Sequence, residues 1–154
     1  MKNLLPIAFL MILPVVAQAP DGLKVWTASE LKAAGAKLNA KVDKLGVASE
    51  TLANLSGNNV LLVHRVANGE AEFHDGAGDF TVIESGAGTL VLGGTVKDGK
   101  TTAPGEIRGP AIEGGQSHPV VAGDIINIPP KTPHQMMVPK GGQITYVVFK
   151  QAAK

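Results

Sequence analysis

Residues Glu72–Asp79 read Glu-Phe-His-Asp-Gly-Ala-Gly-Asp, and a second polar segment, Pro-Pro-Lys-Thr-Pro-His, follows at Pro129–His134. Each segment lies beside a strand-like run that can direct its side chains inward. Because residues i and i+2 of a strand share a face, Glu72 and His74 point to the same side. Two imidazoles with one or two carboxylates are suited to a single divalent metal ion. The two segments therefore predict a metal site.

The sequence around these segments has a pattern of short strands and turns that is typical of an antiparallel barrel or sandwich. From Val60 onward, short apolar runs alternate with turns that contain glycine or proline. The runs are not separated by helical patterns, which disfavours an α/β fold. We predict strands at 60–66, 71–74, 80–84, 89–92, 95–97, 120–121, 124–128, 135–138 and 144–150, with a weaker one near 107–112. The segment 97–117 is interpreted as an exposed hairpin and connection or as a flap over the barrel mouth.

A single substantial helix is predicted before the strands, from Thr27 to about Leu45. Thr27 followed by Glu30 is a capping-box pattern, and apolar residues recur after it at helical spacing. Gly46 occupies the position at which a helix commonly ends. An amphipathic helix packed on the outside of the domain is expected, rather than a membrane or partner helix.

The first 17 residues are interpreted as a secretory signal peptide. They combine a basic start, an apolar run too short to span a bilayer and small residues near the expected cleavage site. We favour Gln18 as the mature start, which predicts a periplasmic or secreted protein. Cleavage there removes one charged residue, Lys2, and leaves 13 basic and 13 acidic residues, so binding to nucleic acid or to an anionic membrane surface is not expected. The chain has no cysteine, which excludes disulfides, thiolate chemistry and sulfur-ligated metals.

The two polar segments resemble the two motifs of the cupin superfamily, which read G-x5-H-x-H-x3-4-E-x6-G and G-x5-P-x-G-x2-H-x3-N. Glu72-x-His74-x4-Asp79-x6-Gly86 keeps the spacing of the first, and Gly123-x5-Pro129-x-Lys131-x2-His134 keeps that of the second. The resemblance covers approximately Val60 to Lys150. It implies an all-β fold, a cupin-like antiparallel β-barrel or jelly roll, with the predicted α-helix outside.

The departures from the cupin motifs concern the ligands themselves. The family's usual set of three histidines and one glutamate becomes Glu72, His74, Asp79 and His134. This more anionic set favours harder ions such as Mn(II) or Fe(II), while Zn(II) and Ni(II) stay open. Asp79 is one methylene shorter than glutamate, so the site can also consist of Glu72 and the two histidines alone. A barrel that has lost its metal is the remaining alternative.

Other residues are expected to have secondary roles near the site or none. Arg65 is expected to pair with Glu72 or to hold a substrate carboxylate, and Met136 to line the pocket. His118 is expected on the surface. The predicted organisation is a signal peptide at 1–17, a helix and connection at 18–59 and a cupin barrel at 60–150.

The leading functional interpretation is a metal-dependent enzyme, of oxygenase, isomerase or lyase type, acting on a small oxygen-rich molecule. A non-catalytic protein that binds a small molecule is the alternative. The expected partner in both cases is a small-molecule ligand or substrate. No stable membrane anchor is expected after signal cleavage, and a homodimer is an open alternative.

Overall fold

The structure, a computed structural model, describes residues 22–55 and 58–153. The predicted signal peptide therefore lies outside the described residues. Within them the chain forms one helix and twelve strands. These are α1 Ala28–Asn39, β1 Val47–Leu55, β2 Asn58–Arg65, β3 Ala71–His74, β4 Ala77–Leu92, β5 Thr95–Lys97, β6 Lys100–Ala103, β7 Glu106–Gly109, β8 Ala111–Glu113, β9 Gln116–Val121, β10 Ile125–Ile128, β11 His134–Met137 and β12 Ile144–Ala152.

Helix α1 begins where the capping box predicted it. The Thr27 hydroxyl accepts from the Glu30 backbone N–H, and the Glu30 carboxylate accepts from the Thr27 N–H at 2.8 Å. The helix ends at Asn39, six residues before the predicted end. Beyond it, the Asp43 carboxylate accepts from the backbone N–H groups of Leu45 and Val47, and such local bonds compete with helical ones.

Strand β1 was not predicted, because its segment was interpreted as a connection between the helix and the barrel. It pairs antiparallel with β2 over most of its length, from Val47 opposite Arg65 to Leu55 opposite Asn58. Its residues are only partly buried or exposed, so the apolar alternation of a half-buried strand is weak in this segment. Tertiary pairing, rather than the local pattern, makes it a strand.

Ten strands form a rolled antiparallel sheet in the order β1-β2-β12-β4-β11-β3-β7-β6, with β9 and β10 also paired to β4, and β5 and β8 form a separate two-stranded sheet. Strand β4 replaces two predicted strands. Its first part pairs with β12 and β10, and its last part pairs with β9 and β11. Gly86 lies between these parts at a φ of 78°, and a register shift in β12 occurs beside it. The bend at this glycine carries β4 from one side of the barrel to the other.

The alternation of side chains along the strands separates an inner core from an outer one. Leu62 of β2 and Val147 of β12 face outward and pack with Leu38 of α1, so the helix covers the outside of the sheet as predicted. Val63 and Val148, one residue along in each strand, belong to the inner core. The site residues lie on this inner face. Within the described residues, no helix has the length and apolar character that crossing a membrane requires.

The segment 97–117 is largely ordered as strands. Strands β6 and β7 form a hairpin, and β7 pairs with β3 so that Arg108 lies opposite Glu72 and Glu106 opposite His74. The interpretation of this segment as a hairpin and connection therefore agrees with the structure. The hairpin also brings two charged side chains to the predicted metal ligands.

Candidate metal centre

Four side chains from three neighbouring strands converge inside the barrel. Glu72 and His74 lie on β3, Asp79 lies on β4 and His134 begins β11. His134 is directly opposite Glu72 in the β3–β11 pairing. His74, Asp79 and His134 are buried, and Glu72 is partly buried. The structure thus brings all four sequence-predicted ligands together, including Asp79 despite its shorter side chain.

The facing atoms of these groups lie within 4.8 Å of one another, close to the spacing of ligands around one ion. Nε2 of His74 lies 3.2 Å from Oε2 of Glu72 and 3.7 Å from Oδ2 of Asp79. Nε2 of His134 lies 3.7 and 3.4 Å from the same two oxygens. Nitrogen and oxygen ligands that share one ion at about 2.1 Å are separated by roughly 3.0 to 3.5 Å. The residues therefore fit a group that can hold a divalent metal ion.

Both imidazoles are oriented by hydrogen bonds from their other ring nitrogen. Nδ1 of His74 lies 2.5 Å from the Glu106 carboxylate, and Nδ1 of His134 lies 2.9 Å from the carbonyl oxygen of Thr132. A proton on Nδ1, donated to these acceptors, leaves the Nε2 lone pair directed at the centre. This arrangement is the usual support for histidines that ligate metals.

Glu72 connects the centre to two arginines. Its Oε2 faces the histidines, while its Oε1 lies 3.7 Å from Arg65 and also pairs with Arg108. Burial would raise the pKa of Glu72, but the neighbouring His74 imidazole and the charge of Arg108 outweigh it and lower the pKa to about 2. Glu72 is therefore ionised at neutral pH. The ion pair between Arg65 and Glu72 is one of the two roles expected for Arg65.

Asp79 is paired with a lysine that sequence reasoning did not identify. Lys150 on β12 lies directly opposite Asp79 on β4, and its Nζ is 3.1 Å from Oδ1. The same Nζ is 2.9 Å from Nε2 of His74. Burial would raise the pKa of Asp79, but the neighbouring His134 imidazole and the charge of Lys150 lower it below the usual range. The centre thus already contains one cation supplied by the chain.

A cavity of about 230 Å³ is lined by three of the four groups, Glu72, Asp79 and His134. Arg65 links two other polar residues of the cavity lining. It donates from Nε to the Tyr146 hydroxyl at 3.0 Å and also pairs with Glu72. The rest of the wall is mainly aliphatic. Met136 lines the cavity as predicted, together with Val47, Leu61, Val63, Leu90, Ile126, Ile128 and Val148.

The sequence did not predict several residues of the centre, or predicted them only as members of a longer segment. Glu106 and Arg108 were recognised only as members of the segment 97–117, and Tyr146 and Lys150 were not assigned any role. The alternation of the predicted strand 144–150 puts Tyr146 and Lys150 on one face, but it does not show which face points inward. His118, by contrast, is exposed, as expected.

Comparison with known proteins identifies relatives by structure only. No protein-family model matches the sequence, and a search of curated proteins finds no significant match. The solved structures similar to it include a cupin-2 domain protein, Rru_A2000 from Rhodospirillum rubrum, at 14% identity and a TM-score of 0.51. That similarity covers 71% of this chain and 63% of the other, so this chain spans less than two thirds of that relative's length.

Two further neighbours have different activities. The Streptomyces nucleoside dehydratase Pac13 has 17% identity and a TM-score of 0.51, with 73% of this chain and 74% of the other covered. Peruvianin-I, a cysteine peptidase from Thevetia peruviana latex, has 13% identity and a TM-score of 0.55, covering 90% and 77%. This chain has no cysteine, so it lacks the nucleophile of such a peptidase. The motif resemblance is therefore confirmed at the level of the fold, and the chain is a cupin-fold barrel.

Proposed function

We propose that this protein is a metal-dependent enzyme that binds one divalent ion through His74, His134, Glu72 and Asp79 and acts on a small molecule. The observation that carries the proposal is the convergence of these four ligand atoms, with both histidines oriented through Nδ1. An ion of the Mn(II), Fe(II), Zn(II) or Ni(II) class would polarise a bound oxygen atom or activate water or O2. Oxygenase, isomerase and lyase chemistry are all compatible with such a centre.

The residues around the ion would bind and orient the substrate. Arg65 and Arg108 each use only part of their donor capacity on Glu72, so both retain N–H groups for an anionic substrate group. The Tyr146 hydroxyl accepts from Arg65, which leaves its own proton to donate to a substrate oxygen. Burial raises the pKa of Tyr146, so this hydroxyl keeps its proton at neutral pH.

We propose a small carboxylate with an apolar body as the substrate class, in place of the oxygen-rich molecule expected from the sequence, and the aliphatic part of the cavity lining supports this choice. A molecule rich in hydroxyl groups would leave some of them without partners against the aliphatic wall, which is unfavourable. We expect isovalerate to raise the melting temperature of Mn(II)-loaded protein more than gluconate does, in a thermal-shift titration at equal concentration. An equal or greater effect of gluconate would contradict this substrate class.

Metal analysis of mutants tests the proposed ligands. We expect about one ion per chain in the wild type, purified without chelators, and a large loss in His74→Ala and His134→Ala. His118→Ala is the matched control, since this histidine lies on β9, is exposed and is not one of the four converging groups. Equal metal content in all four proteins, measured by inductively coupled plasma mass spectrometry, would rule out the site.

A non-catalytic protein that binds small molecules is the second candidate. It is favoured by Lys150, because an ammonium group already balances the carboxylates without a metal ion. Binding of isovalerate to chelator-treated protein with unchanged affinity, together with an absence of metal in the wild type, would support this candidate. Loss of binding on chelation supports the metal-dependent one.

Export to the periplasm or beyond is part of the proposal and depends on residues 1–17. The basic start and short apolar run of these residues support it. N-terminal sequencing of the protein from the exported fraction is expected to begin at Gln18. Accumulation of the full-length chain in the cytoplasm would contradict export. The homodimer stays a prediction, which size-exclusion chromatography with light scattering can check.

A further inference from the structure

Lys150 directs its ammonium group at the atoms that would bind the metal ion. Its Nζ lies 2.9 Å from Nε2 of His74, and 3.1 and 3.5 Å from the two carboxylate oxygens of Asp79. The Nε2 lone pair of an imidazole can accept a hydrogen bond or ligate a metal, but it cannot do both. Lys150 and a metal ion therefore compete for the same atoms.

With both imidazoles neutral, as the bond from Lys150 to Nε2 of His74 requires, the charges around the centre are balanced without a metal ion. Three carboxylates, those of Glu72, Asp79 and Glu106, lie in one network of contacts with three cationic side chains, those of Arg65, Arg108 and Lys150. A divalent ion added to this set leaves an excess of two positive charges beside the Lys150 ammonium. Such an excess is strongly unfavourable in a partly buried site. Entry of the ion is thus coupled to departure of the ammonium or entry of an anion.

Lys150 is also well placed to leave. Its side chain is 31% exposed, compared with 2% for His74 and 8% for Asp79, so the ammonium has a route to solvent that the ligands lack. The side chain of Arg108 is similarly exposed, but it pairs with Oε1 of Glu72, whereas the histidines face Oε2. A long, flexible lysine stem allows such a movement without a change in the backbone.

We propose that Lys150 is a resident cation that holds the site in the metal-free protein and must be displaced before a divalent ion binds. Lys150 then determines the affinity of the site for metal, lowering it relative to a site that has the same four ligands alone. In the absence of metal it also bridges His74 and Asp79. This inference rests on the proposed metal function for its biological meaning, but it can be tested separately.

The test compares Mn(II) binding to chelator-stripped proteins by isothermal titration calorimetry. Lys150→Met removes the ammonium and keeps the length of the side chain, and we expect it to bind Mn(II) at least tenfold more tightly than the wild type. Lys131→Met is the matched control. Lys131 is an exposed lysine that pairs with Asp75 outside the centre, and its loss is expected to change the affinity less than twofold. Lys150→Arg keeps a cation and is expected to show no gain.

The outcomes separate this inference from the proposed function. If the wild type binds Mn(II) and Lys150→Met binds it no more tightly, the inference is overturned while the metal function stands. If only Lys150→Met binds Mn(II), the inference holds and the wild type is not a metal enzyme under these conditions. Failure of both to bind overturns both. If Lys150→Met does not fold, as judged by circular dichroism, Lys150→Gln provides the same comparison with a shorter, neutral and polar side chain.

Discussion

Single residues at this centre combine ligand and support roles. Glu72 replaces the first histidine of the cupin motif, and its two oxygens face different partners: Oε2 faces the histidines and Oε1 faces the arginines. A histidine at this position would not offer an anionic partner to Arg65 and Arg108. The substitution therefore links the candidate ligand set to a pair of cationic side chains at the cavity wall.

The low pKa of Glu72 predicts an acid-dependent loss of stability. Its folded pKa of about 2 lies below the unfolded value of about 4.3. Its contribution to the free energy of unfolding is therefore present above the unfolded value and is lost as the pH falls toward 2. The contribution is on the order of 3 kcal/mol. We expect the unfolding free energy of metal-free wild type, measured in urea, to fall more steeply between pH 5 and 2 than that of Glu72→Gln.

Glu70→Gln provides the control for this measurement, because Glu70 is an exposed glutamate two residues away. It is expected to keep the pH dependence of the wild type. The same pH dependence in Glu72→Gln as in the wild type would show that Glu72 is not held ionised by its partners.

Among the elements, β4 does most to assemble the site. Its first part holds Asp79 opposite Lys150 of β12, and its last part pairs with β11, which begins at His134. Gly86 lies at the bend between these parts. A Cβ there would lie 2.0 Å from the Gln143 carbonyl oxygen, and the φ of 78° is unfavourable for other residues. The position of Asp79 on β4 relative to His134, which pairs with the last part of β4, thus depends on this glycine.

The bend in β4 predicts a large effect of a small mutation. We expect Gly86→Ala to lower the free energy of unfolding by more than about 2 kcal/mol, because the new methyl group meets backbone atoms that cannot move independently. Gly76→Ala is the matched control: its Cβ would have no heavy atom within 4 Å, and a change within about 0.5 kcal/mol is expected. Similar urea midpoints for the two variants would show that the bend does not require glycine.

On the scale of the whole molecule, the barrel places a partly charged cavity inside an aliphatic core, and a bound ion would tie three strands together. Binding to the folded state alone is expected to stabilise the protein by roughly 2.7 kcal/mol at a free metal concentration of about 100 times Kd. For a domain of this size, that corresponds to a rise of roughly 10 °C in Tm. Differential scanning calorimetry with Mn(II) and then with a chelator checks this expectation.

His134→Ala distinguishes specific from general metal effects on stability. It removes the ligand that lies opposite Glu72 in the β3–β11 pair, so Mn(II) is expected to leave its Tm nearly unchanged. A rise in Tm equal to that of the wild type would place the stabilising ion elsewhere on the protein.

Local patterns in the sequence determined the fold class and the four candidate ligands. The capping box at Thr27, the spacing of Glu72, His74 and Asp79, and the position of His134 after a proline-rich turn are all short-range features, and all agree with the structure. They could be read because a helix start and a strand face each depend on residues only a few positions apart.

Only the tertiary structure decided what surrounds those ligands. Strand β1, the position of Glu106 and Arg108 across from β3, and the contact of Lys150 with Asp79 depend on pairing between strands distant in sequence. One sequence does not specify such partners or which face of a strand points inward. The lysine that competes with a metal ion was therefore visible in the sequence only as part of a strand, and its role came from the register of β12 on β4.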